Sequence, residues 1–422
     1  MTTPPAPRST TPRTVLLGAS FAGLEFVYQL ARRRGRFAPG ALTVVDPRAE
    51  HPYIPLAHEL VSGASSDRSL RFDTARFCAG VGAAFVRAAA TAVDVARRTV
   101  TLSDGQTLAY DRLVIAVGSE TAVARVARGH AAVVGAKWPA DAHALRRLVR
   151  DARTHVDAAG GRPAPVVVVG AGLTGVEWGA ELAAEGAGGA PAAVTLVEAA
   201  GRVLPGFRPN VAAHAARVLA ALGVDVRLGR SVAEVRDAGD GLEVVLDDGA
   251  VLPAAAVVWG GGVRPARAIA GWGLPPGALG ERGHVRVTPE LAAVGADGVY
   301  AVGDAARVVG DDGREWPTMA RAIEAIWQGK LLARRFARGD APGRGPRHHL
   351  RRDFVHGVSL GQRHSLVVYG RWWGDARAFV WFRRLLKWAY YARYRLAAAA
   401  LRRRGATASR AAGATAPRPG SR

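Results

Sequence analysis

Two short glycine turns are the residues of this sequence best suited to chemistry. Residues 14–24 read TVLLGASFAGL and residues 166–177 read VVVVGAGLTGVE, each an apolar run, a glycine turn and a helix-like segment. In such a unit the first glycine (Gly18, Gly170) makes a tight bend, and the second position (Ser20, Gly172) lets backbone approach a pyrophosphate. The third (Gly23, Gly175) lets helix and strand pack closely. The helix N-terminus then presents free amides to phosphate. Ser20 replaces the expected second glycine, and it is small enough to keep that approach open. The chemistry implied is dinucleotide binding, twice.

The elements that would position these turns also repeat. A second strand ends at Asp46 in the first unit and at Glu198 in the second; Gly18 to Asp46 and Gly170 to Glu198 are both 28 residues. An acid there can accept from the ribose hydroxyls of an adenosine and disfavours a 2′-phosphate. Predicted hairpins follow at Asp104-Gly105 and Asp248-Gly249, each leading into an apolar strand that ends in glycine. Gly105 to Gly118 and Gly249 to Gly262 are both 13 residues. Gly118 and, in the glycine run of the second unit, Gly261 are further cofactor-side candidates. The repetition predicts an α/β fold with two Rossmann-like dinucleotide-binding domains.

Composition narrows the chemistry. The single cysteine, Cys78, excludes an intramolecular disulfide, a CxxC metal site and a dithiol redox centre. No metal is expected. No apolar run is long enough to span a bilayer, and the polar, proline-rich start reads as no signal peptide. The net charge is +22, of which +16 falls in residues 341–422. Residues 376–396, ARAFVWFRRLLKWAYYARYRL, form a helix at 100° per residue. Phe379, Phe382, Leu386, Ala389 and Tyr390 share one sector, expected to pack on the protein body. Arg377, Trp381, Arg384, Trp388, Tyr391 and Arg395 fall opposite, a face suited to an anionic lipid surface. A nucleic-acid reading of this helix is the weaker one.

GVYAVGDAARV, residues 298–308, ends a third short strand at Gly303-Asp304 and resembles the Gly-Asp motif of two-dinucleotide flavoproteins. The chain as a whole resembles the type II, non-proton-pumping NADH dehydrogenases. The matches are GASFAGL, DPRAEHPYIPLAHELVSG, GAGLTGVEWGAEL, VEAAGRVLPGF, VVWGGGVRPA, AVGDAARV and HGVSLGQRH, in that order over nearly all of 13–396. The resemblance implies FAD on the first unit and NADH on the second, with Asp304 on the ribityl and phosphate side of FAD. It also implies hydride transfer to FAD and reduction of a membrane quinone. Glu198, followed by no basic residue until Arg202, favours NADH over NADPH. Glu177 matches a family glutamate near the nicotinamide, a candidate for orienting the carboxamide or relaying protons. Met319 and Ala320 would lie near the pyrimidine end of the flavin. The His51, Pro52 and Tyr53 segment would cover the flavin. Many relatives carry Ala-Gln where this chain has Ala320-Arg321; Gln328 lies further along.

The resulting organisation is a flexible tail (1–12), an FAD domain (13–120 and 262–335) interrupted by an NAD domain (121–261), and a C-terminal region (336–400) ending in the amphipathic helix. A disordered basic tail (401–422) follows. The expected location is peripheral, on the cytoplasmic side of the cell membrane; a homodimer is left open. The competing readings are a reductase of a ferredoxin or rubredoxin, and an NADH-sensing flavoprotein with a nucleic-acid-binding tail.

Overall fold

The repeated units build two parallel five-stranded sheets. The computed structural model describes residues 12–157, 163–184, 192–239, 241–317, 319–340, 343–351 and 354–414. Its first sheet runs Val299–Ala301, Arg112–Ile115, Thr14–Leu17, Leu42–Val45, Ala84–Val86. The second runs Val133–Gly135, Ala256–Trp259, Pro165–Val169, Ala193–Glu198, Asp225–Leu228. Strands such as Thr14–Leu17 are buried throughout, as parallel strands covered on both faces must be. Each central strand feeds a helix through its glycine turn, Phe21–Arg34 in one unit and Leu173–Ala183 in the other.

The sheets correspond strand for strand, apart from where one edge strand comes from. The first sheet takes its Val299–Ala301 edge from chain beyond the whole second sheet, whereas Val133–Gly135 precedes the rest of the second. Where the chain leaves and rejoins the first unit, Ser119–Thr121 pairs antiparallel with Val263–Pro265. The hairpins also match. Gly105 and Gly249 both adopt positive φ, and their amides donate to Leu102 O and Leu246 O, each over 3.0 Å. This is the three-residue loop in which glycine closes a bulged turn.

A three-stranded antiparallel sheet, His356–Leu360, His364–Tyr369 and Trp372–Asp375, then leads into the helix Arg377–Ala414. Val358, Leu360 and Leu366 belong to the core of the second unit, while Tyr390, Tyr391 and Tyr394 belong to that of the first. The C-terminal region thereby ties both units together. Among the described residues no helix is long and apolar enough to cross a membrane.

The C-terminal helix corrects two expectations. Its inner stripe is Val380, Tyr390, Tyr391, Tyr394, Ala398 and Leu401, at helical spacing. Tyr391, expected outward, shares its single hydroxyl proton between His51 O (3.0 Å) and Leu70 O (2.8 Å) and stacks on Phe72. Phe382, Leu386 and Ala389, expected inward, are exposed beside Trp381, Leu385 and Trp388. The helix runs on to Ala414, and Leu401 is still packed on the body. Residues 1–11 and 415–422, which include most of the expected N-terminal tail and the end of the basic tail, lie outside the described residues.

Candidate functional site

Sterics fix both glycine turns. A Cβ on Gly23 would lie 2.0 Å from Gly18 O, and one on Gly175 would lie 1.7 Å from Gly170 O. Gly172 differs, since nothing lies within 4 Å of its Cβ position, so a ligand can approach the backbone there. Ser20 N-caps the first helix without a side-chain cap bond; its Oγ lies 3.3 Å from His51 Nδ1.

Asp46 and Glu198 play equivalent local roles. Asp46 Oδ2 accepts from the Ala19 amide (2.8 Å) and Oδ1 from the Arg48 amide (2.9 Å). Glu198 Oε2 accepts from the Ala171 amide (2.5 Å) and Oε1 from the Ala200 amide (2.8 Å). Each acid holds its own glycine turn in place. A carboxylate offers about four acceptor directions, so capacity remains for ribose hydroxyls.

A cavity of about 660 Å³ runs from the first turn to the C-terminal helix. That is within the range of a site for a large organic cofactor. Gly18, Ser20, Asp46, Gly118, Gly303, Asp304 and Ala320 all line it. Asp304 accepts from Ser119 Oγ and lies 3.3 Å from Lys137 Nζ. Burial lowers the Lys137 pKa against the pull of Asp304. Lys137 escaped notice in the sequence, although the chain has only three lysines. The Gly303 amide is taken by Gln328 Oε1 at 2.7 Å, which commits Gln328 to the Gly-Asp turn and not to an acceptor. Ala320 holds φ +48, unusual for a residue with a Cβ. Met319 is set apart from the cavity lining described; its amide donates to Glu324. Gly261 is likewise not in that lining, which takes in Gly260 and Gly262. Tyr53 lines the cavity, whereas His51 is buried beneath Tyr391, and burial pushes its pKa down to about 3.

The far end of the cavity gathers charge from four distant segments. Glu177, in the helix after the second turn, accepts from the Ser359 amide at 3.0 Å. It lies 3.8 Å from both His58 Nδ1 and Arg383 Nη1. Burial raises its carboxyl to about 7, against Arg383 and the Ser359 amide. One turn on, Glu181 accepts from Ser62 Oγ (2.6 Å), and burial with nearby Glu59 raises it to about 7 as well. Glu59 in turn binds Ser65, Arg383 and Arg384. Glu177 is thus enclosed between units, not solvent-facing. The fit to a dinucleotide rests on the first turn: a helix N-terminus, a glycine without a side chain and a buried acid all converge on one cavity.

Comparison with known proteins decides the family: the sequence profile of the pyridine nucleotide-disulphide oxidoreductases matches residues 12–329. The chain belongs to this family. It is an NADH-dependent flavoprotein oxidoreductase whose cofactors are FAD and NADH. The disulphide of the family name has no counterpart here, since Cys78 is alone and buried, and burial pushes its thiol up to about 12. An NADH dehydrogenase-like protein of Mycobacterium tuberculosis is 33% identical over 318 residues, covering 71% of this chain and 74% of the relative. A type II NADH:quinone oxidoreductase of that organism is 28% identical over 415 residues, covering 92% and 85%. Among solved structures, a ferredoxin reductase from Rhodopseudomonas palustris has a TM-score of 0.69 at 25% identity, covering 85% of this chain and 82% of that one.

Proposed function

We propose that the protein is an NADH:quinone oxidoreductase working on the cytoplasmic face of a membrane, without proton pumping. One observation carries this reading: a single helix both lines the cavity and offers an apolar outer face. Arg383, Leu386 and Tyr390 are cavity residues, while Trp381, Leu385 and Trp388 on the same turns are 58–64% exposed. Trp rings and cations are favoured among lipid headgroups. A quinone leaving lipid beside this helix would meet the cavity directly. The likeness to a type II NADH:quinone oxidoreductase extends over 92% of the chain and supports the same acceptor.

The geometry supports the following assignment of parts. Residues 13–120 and 262–335 take FAD, with Gly18, Ser20, Gly23 and Asp46 at its adenosine and pyrophosphate end and Asp304 toward the ribityl chain. Residues 121–261 take NADH on Gly170, Gly172 and Gly175, with Glu198 reading the ribose. When bound, FAD supplies the hydride acceptor and the two-electron donor. Leu173, Thr174 and Glu177 carry the NADH turn to the cavity wall, so a nicotinamide is positioned without a protein nucleophile. Glu177, titrating near 7, is placed to hold the proton that a reduced acceptor requires.

A second reading, a ferredoxin reductase, is favoured by the 25% identical solved structure. It makes no use of the exposed tryptophans. NADH oxidation with a water-soluble quinone separates the readings: rates well above those with oxygen alone support quinone reduction, and equal rates refute it.

A further inference from the structure

Among the described residues, Arg321 is the unmatched cation of the cavity wall. Arg48 lies 3.4 Å from Asp46, Lys137 3.3 Å from Asp304, and Arg383 3.5 Å from Glu59. Among the described residues Arg321 forms no ion pair, and Glu177 attracts it only at longer range. Its Nη1 donates instead to His356 Nδ1, so that nitrogen is an acceptor and the imidazole is neutral. Burial and the adjacent guanidinium push His356 down to about 4, which keeps it neutral. Two phenyl rings complete the setting, with Arg321 Cζ 5.8 Å from the Phe207 ring and 5.7 Å from that of Phe354.

This arrangement has a cost that a ligand would offset. Burial penalises the guanidinium, and neither a neutral imidazole nor ring faces supply a counter-charge. Arg321 N-caps the helix Ala322–Arg338, next to the positive-φ Ala320, so its backbone is fixed by the turn that opens the helix. A planar guanidinium held among aromatic faces suits a flat aromatic anion, through charge-assisted hydrogen bonds and stacking together.

We infer that Arg321 gives the cavity a preference for quinones that carry an acidic group, such as an ionised ring hydroxyl, a carboxylate or a sulfonate, over neutral quinones of the same ring system. The inference rests on the quinone reading above. The acidic group stays outside the redox step: NADH, a proton and the quinone give NAD⁺ and the hydroquinone, with the substituent's charge unchanged. Arg321 acts here as a specificity-determining residue.

The test compares 1,4-naphthoquinone-2-sulfonate with neutral 2-methyl-1,4-naphthoquinone in wild type, Arg321→Gln and Arg321→Lys, all as flavin-loaded protein. Two readouts are taken: the kcat/KM ratio for the two quinones, and their Kd for the oxidised protein without NADH, from quenching of the cavity tryptophans. Arg321→Gln is expected to lower the sulfonate-to-neutral ratio about tenfold in both readouts, the scale of one charged hydrogen bond. Arg321→Lys is expected to keep part of the preference. An unchanged ratio in Arg321→Gln, or equal losses for both quinones, overturns the inference. If wild type reduces neither quinone, the quinone reading falls, yet the Kd ratio still decides whether Arg321 selects the anion.

Discussion

The Ser359 amide donates to Glu177 Oε1 over 3.0 Å, joining the helix after the second glycine turn to the C-terminal sheet. Arg383, which lies 3.8 Å from the same oxygen, donates to Ser359 Oγ at 2.8 Å. The C-terminal region therefore closes the cavity over Glu177. It also removes that carboxyl from water, which is why its pKa rises.

Glu177 titrates near 7, so it is protonated below that pH and ionised above it. On quinone reduction, kcat should fall as pH rises through 7. Glu177→Gln keeps an acceptor for the Ser359 amide and should flatten that limb, with a loss of about tenfold or more below pH 7. Steady-state pH profiles check this; an unchanged limb in the variant removes Glu177 from the proton path.

Glu181 allows a stability test. Its folded pKa, about 7, lies above the ordinary 4.5, so the folded chain binds the extra proton and is stabilised at low pH. That contribution is fully present below about 4.5 and is lost as pH rises through 7. Glu181→Gln should match wild type near pH 5 and exceed it near pH 8, by on the order of 1–3 kcal/mol. Urea unfolding at the two pH values measures the difference.

The glycines of the second turn should separate folding from binding. Gly175→Ala forces a Cβ to 1.7 Å from Gly170 O and should lower Tm sharply, whereas Gly172→Ala has open space. Gly172→Ala should leave Tm within a few degrees and raise the KM for NADH roughly tenfold, because the new methyl fills the approach to the pyrophosphate. Thermal unfolding alongside NADH titration distinguishes them.

Removal of 376–422 would be a poor test of the membrane reading, since it takes away Tyr391, Tyr394 and Arg393, the last 2.6 Å from buried Glu25. Trp381→Ala, Leu385→Ala and Trp388→Ala together alter only exposed side chains. Sedimentation with anionic liposomes should fall at least about tenfold in the triple variant, at unchanged Tm. Undiminished sedimentation would show that this face does not bind lipid.

The two glycine turns, their acids and the Asp-Gly hairpins were legible because each recurs at a fixed spacing: pairing of neighbouring parallel strands brings Asp46 to the Ala19 amide and Glu198 to that of Ala171. The edge strand Val299–Ala301 was legible only through the Gly303-Asp304 motif beside it. The cluster around Glu177 was not legible, because Glu59, Glu177, Ser359 and Arg383 meet only in the folded chain. Tyr391 misled for a similar reason. Helical phase placed it outward, but the carbonyls of His51 and Leu70 that receive its hydroxyl come from sequence more than 300 residues away.

The most direct measurement is anaerobic and stepwise. Purified protein should show the visible flavin band, lose it on addition of one equivalent of NADH, and regain it at once when a quinone is added. Absence of flavin, or a reduced band that returns only when oxygen is admitted, would contradict the account.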